Sequence, residues 1–99
     1  MMNDTQVKAI IEILKEKRIL TVLEKDILDT YNELSKVPFQ RNTAETKIKE
    51  NNLKHPDIFA AISILPNTTL KAFSQVDDDD MRYNLTQQLI AMCLKRTHQ

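Results

Sequence analysis

Ninety-nine residues make one domain of ordinary size and are too few for two hydrophobic cores. With 41% hydrophobic residues the chain can offset its conformational entropy, and with 14 basic against 14 acidic side chains it has no net field to draw it toward nucleic acid or anionic lipid. It contains no glycine, which excludes Walker-type phosphate loops, dinucleotide-binding turns and the nucleophile elbow, all of which need that residue's conformational freedom.

The first predicted helix runs from about Thr5 to Arg18. Val7, Ile10, Ile11 and Leu14 recur at the spacing of one helical face, Lys8, Glu12, Lys15 and Glu16 fall opposite, and Asn3 or Asp4 caps the start. Thr21 followed by Glu24 reads as a capping box for a second helix with Leu23, Ile27, Tyr31 and Leu34 as its stripe. That helix ends near Lys36, because Pro38 forces Val37 out of helical geometry. The joint at Ile19 and Leu20 is so short that the two helices either turn sharply or bend into one another. Residues 38–42 read as a loop, and Asn42 with Glu45 repeats the capping pattern before a short polar helix that ends near Asn51 and has Ile48 as its one large apolar residue. Without glycine, left-handed helix ends fall to asparagine, with Asn52 and Asn67 as candidates.

Pro56 suits the first position of a fourth helix, and Asp57 suits the positive end of its dipole. Ile58, Ile62 and Leu65 share one side, and Ala60, Ala61 and Ile64 cover most of the rest before Pro66 interrupts, so this helix is expected at the centre of the core. Residues 67–75 form a short helix or turn. The last helix begins within Asp77 to Asp80 and runs to about Arg96. The resulting fold class is an all-α bundle of five or six short helices in a single domain over residues 1–99, with no β-sheet.

Few side chains suggest site chemistry. Asp77, Asp78, Asp79 and Asp80 suit either a solvated helix cap or an acidic contact for a basic partner, and an EF-hand is excluded because neither its glycine nor its closing glutamate is present. Two histidines, His55 and His98, lack a third metal ligand, and Cys93 reads as a buried thiol beside an apolar stripe. No metal, cofactor or catalytic residue is assigned. One cysteine, the absence of a signal-peptide pattern and the absence of a membrane-length apolar run predict a cytoplasmic protein with no membrane partner.

The last helix is the most informative. Met81, Leu85, Leu89 and Met92 lie on one face, with Tyr83, Ile90 and Leu94 nearly opposite. Either the helix is sandwiched within its own domain, or one face docks on a second protein, a different partner or another copy of the chain.

Leu20-Thr21-x-x-Glu24-x-x-Ile27-Leu28, followed by Ile48, Asn52-Leu53, Pro56, Ile58 and Ile62, resembles the helix-turn-helix of DNA-binding regulators over residues 20–65. The resemblance implies DNA binding, with Arg41, Lys47, Lys49 and Lys54 placed to touch phosphates. The chain departs from that pattern where a recognition helix should be, since Asp57 to Leu65 offers no basic residue or amide to base edges. The sequence therefore favours a non-enzymatic regulatory or adaptor protein that docks on another protein through Tyr83, Ile90, Leu94 and the aspartates, with a DNA-binding regulator as the alternative.

Overall fold

The computed structural model describes residues 3–59 and 78–97, and every regular element among them is helical. Four long helices are present: α1 (Asp4–Glu16), α2 (Val22–Leu34), α3 (Arg41–Lys54) and, after the short α4 (Pro56–Phe59), α5 (Asp79–Thr97). Helices of more than about one turn number four among the described residues, where five or six were predicted. The predicted helix or turn at 67–75 and the continuation of the fourth helix beyond Phe59, with its expected place in the core, lie outside the described residues.

Local signals account for the starts of α1 and α2. The Asn3 side chain accepts from the Gln6 amide at 2.9 Å while Gln6 reaches back to the Asn3 amide at 3.0 Å, so two otherwise unpaired donors are satisfied reciprocally. Thr21 and Glu24 form the same box at the head of α2, and Glu24 also holds Lys17 at 2.7 Å. The hydrogen bond from Lys17, reinforced by the Thr21 amide, sets the Glu24 carboxyl below its usual range. Both Lys17 and Thr21 are extended, so the joint is a turn between two separate helices and not a bend within one. Thr21→Ala is expected to cost about 1 kcal/mol, the typical worth of such a cap, with a lowered denaturant midpoint as the readout.

The expected box at Asn42 does not form. α3 starts at Arg41 after Gln40, which makes no side-chain cap, and the Ala44 amide already bonds the Gln40 carbonyl at 3.0 Å, placing Asn42 inside the first turn. Nor does Asn52 end a helix in the left-handed region. It lies within α3, which continues to Lys54, and no described residue has a positive φ. The helices end instead on extended or right-handed residues such as Lys17 and Ser35.

The core gathers around α5, which packs against α1, α2 and α4. Val7, Ile11 and Leu14 from α1, Ile27 and Leu34 from α2, and Ala44 and Ile48 from α3 share one cluster with Leu85, Leu89, Ile90, Ala91, Cys93 and Leu94 of α5. Those α5 positions lie on nearly every side of a helix, so α5 is a central element enclosed by its own chain. Among the described residues, no helix is long and apolar enough to cross a membrane.

Candidate functional site

α3 has too few apolar residues to dock by burial alone, and it meets α2 through polar groups. Asp26 and Thr30 stand one turn apart on α2; Lys47, Asn51 and Lys54 follow at helical spacing on α3, and His55 caps its end. The Asp26 carboxylate, 5% exposed, takes His55 Nε2 at 2.7 Å and Lys54 at 3.4 Å on one oxygen and Lys47 at 3.4 Å on the other. Thr30 donates its hydroxyl to the Asp26 carbonyl at 2.7 Å and accepts from the Asn51 side-chain amide. Burial pushes the Asp26 carboxyl up, but the His55 hydrogen bond and the charges of Lys47 and Lys54 outweigh it, so the group lies below the ordinary aspartate range. This polar seam fixes α3 on α2.

A second feature lies where the end of α2 approaches the start of α5. Asp78 is the N-terminal cap of α5: its carboxylate accepts from the Asp80 amide at 2.9 Å, and its carbonyl takes the first helical bond, from Arg82, at 3.0 Å. Asp79 accepts from the Arg82 guanidinium at 2.8 Å, and that guanidinium lies over the Phe39 ring, 4.6 Å from its centroid. Beside these contacts lies a cleft of about 190 Å³, with Leu34, Ser35 and Val37 on one wall and Asp79, Arg82, Tyr83 and Thr86 on the other. Val37 is 88% exposed and Tyr83 39% exposed, whereas Leu34 beneath them is buried. Beyond the cleft, Lys8 lies over the Tyr83 ring at 5.4 Å, and its interaction with the Tyr83 hydroxyl raises the ammonium above the usual lysine value.

The structure separates the sequence-predicted site residues into three groups. Tyr83 and Asp79 both line the cleft, Asp78 and Asp80 are exposed beside Asp79 at the start of α5, and Asp77 lies outside the described residues. Ile90 and Leu94, 0% and 1% exposed, are core, because the face they share with Tyr83 is covered by the chain itself. Of the basic group, Lys47 and Lys54 direct their ammonium groups at Asp26, Arg41 is half-buried at the start of α3, and Lys49 is exposed. Cys93 is buried, and among the described residues no three metal-ligating side chains converge.

Two participants are absent from the sequence reading. Asp26 has the appearance of an ordinary solvated helix residue; the signal for its role is the matched polar spacing of Asp26 and Thr30 against Lys47, Asn51 and Lys54. Val37 reads only as the residue before a proline, and nothing local announces that α5 comes to face it. No protein-family model matches the chain, no curated protein matches its sequence, and no solved structure matches its fold.

Proposed function

We propose that this protein is a non-enzymatic regulatory or adaptor module that docks on another protein through the cleft between the end of α2 and the start of α5. The observation that carries this reading is the combination of an 88%-exposed valine and a partly exposed tyrosine around a cleft of about 190 Å³. Small-molecule sites occupy roughly 300–1,000 Å³, so this volume suits one or two side chains projecting from a larger partner. Exposed Val37 and Tyr83 supply the apolar contact such an anchor needs, and buried Leu34 supplies a firm floor.

Acid–base chemistry draws no support from the same cleft. Asp79 is 81% exposed and already held by Arg82, so it has neither the water-excluded surroundings nor the free geometry of a catalytic acid. DNA binding draws little support from α3, because a phosphate would compete with the buried Asp26 carboxylate for both Lys47 and Lys54. Self-association through Tyr83, Ile90 and Leu94 drops out of the proposal, since two of those three side chains are core.

Site-specific photo-crosslinking tests the reading directly. A benzophenone side chain at position 37 is expected to give a discrete adduct with a second protein in cells, and the same probe at exposed Lys25, on the body of α2, is expected to give none. Equal labelling from both positions, or none from either, would remove the cleft as the docking surface.

A further inference from the structure

α3 is held to the rest of the fold differently from the other long helices. It gives the core only Ala44 and Ile48, and no partly buried apolar residue of α3 adds to them, whereas Leu23, Leu28 and Tyr31 do so for α2. Among the described elements it packs chiefly against α2 and α4, not against the central α5. Its remaining hold is the polar seam, and that seam is imperfect. Lys47 and Lys54 stand 3.4 Å from the Asp26 carboxylate, long for a charge-assisted hydrogen bond. The Asn51 side-chain oxygen is buried without a hydrogen-bond partner among the described residues. Water solvates all of these groups once α3 lifts away, so undocking α3 costs less than breaking up the apolar cluster around α5.

The connection from α2 to α3 ties this helix to the cleft. Ser35 and Val37 belong to one wall, the Phe39 ring lies under the Arg82 guanidinium, and the Gln40 carbonyl takes the first helical bond of α3, from Ala44 at 3.0 Å. Phe39 is therefore next to the residue that starts α3, and displacing the first turn of the helix displaces Phe39 with it.

We infer that α3 and the connection 35–40 open together as one unit while α1, α2 and α5 stay folded, and that this opening dismantles the Val37 wall of the cleft. The cleft is then a site that exists only while α3 is seated. By linkage, a partner bound there holds α3 down, and any event that releases α3 releases the partner. That consequence rests on the docking reading above; the opening itself does not.

Native-state hydrogen exchange on the intact chain, followed by NMR in low concentrations of urea, tests the opening. Once released, a helix of 14 residues is marginal on its own, so its amides exchange with solvent. The amides of Ile48 and Asn51 are expected to be protected less than those of Leu89 and Ile90, by roughly tenfold or more. Their exchange is also expected to depend more weakly on urea, because the open form exposes only part of the surface that unfolding exposes. Phe39→Leu separates a joint opening from one confined to α3. It removes the ring under Arg82 but keeps an apolar side chain, so the fold persists, and the lost contact is worth roughly two- to fivefold in an equilibrium that breaks it. If the connection leaves with α3, the contact is absent from the open form, and protection of the α3 amides falls by that factor together with that of the α5 amides. Unchanged protection of α3 in F39L would mean that the connection stays behind, and would overturn the link to the cleft. Equal protection and equal urea dependence of α3 and α5 in the unaltered chain would overturn the opening itself. Neither result bears on docking, which fails separately if position 37 gives no specific cross-link.

Discussion

Leu94→Ala is expected to lower the unfolding free energy by about 2–5 kcal/mol, the range for truncating a fully buried leucine, and Ile90→Ala by a comparable amount. Leu94 and Ile90 are 1% and 0% exposed, and both belong to the cluster that joins α5 to α1, α2 and α3. For a domain of this size each kcal/mol moves the melting temperature by roughly 4–8 °C, so L94A is expected to melt about 10 °C or more below the unaltered chain. Tyr83→Ala gives the contrast. Its ring is 39% exposed, and its loss is expected to cost about 1 kcal/mol or less while weakening partner binding. Thermal and urea unfolding of the three variants side by side separates core from contact surface. An unchanged midpoint for L94A would return that face of α5 to a partner.

The second large effect belongs to Asp26. Asp26→Asn keeps the volume but removes the charge that holds Lys47, Lys54 and His55, and is expected to cost about 2 kcal/mol at neutral pH, in the range for hydrogen bonds to charged groups. Breaking a fully enclosed ion pair costs about 3–5 kcal/mol, but the side chains of Lys47 and Lys54 are 22% and 55% exposed, and water would take up much of what they lose. The pH dependence follows from the lowered folded-state pKa. A carboxyl depressed by folding stabilises fully above its unfolded value, ordinarily 3.8, and the contribution disappears as the pH falls through the lower folded value. The gap between the two proteins is thus expected to be present above about pH 4 and to narrow below it. Chemical denaturation at a series of pH values measures that gap, and a gap that widened as the pH fell below about 4 would contradict the assigned direction.

What the sequence made legible follows a physical divide. The stripes of α1 and α2, the Thr21–Glu24 box and the start at Pro56 are local, since each depends on residues within a turn or two of one another. The cap at Asn42 fails although its pattern is sound, because α3 starts one residue after Gln40 and leaves Asn42 already helical. For α5, the periodicity revealed two apolar faces but not what covers them. That depends on the approach of α1 and α2, which no window of one helix records. The site divides in the same way. The aspartates and Tyr83 stand out in the sequence by charge and spacing, whereas Val37 acquires its meaning only from the distant α5. Asp26 was hidden by the rule that serves elsewhere, that charged helix residues face water. Here a helix nearly without an apolar stripe is held by a polar one.

The central place of α5 also bears on the order in which the chain matures. Synthesis proceeds from the amino terminus, so α1, α2 and α3 emerge before the helix around which their apolar side chains gather. Until residues 79–97 are available, Val7, Ile11, Leu14, Ile27 and Leu34 lack the α5 side chains that complete their cluster. Capping boxes let α1 and α2 begin to form as isolated, fluctuating helices, but such short helices are marginal without tertiary partners. α5 supplies the tertiary partners that those helices lack. A nascent chain stalled before Asp79 would be protease-sensitive and prone to associate through the stripes it has not yet buried.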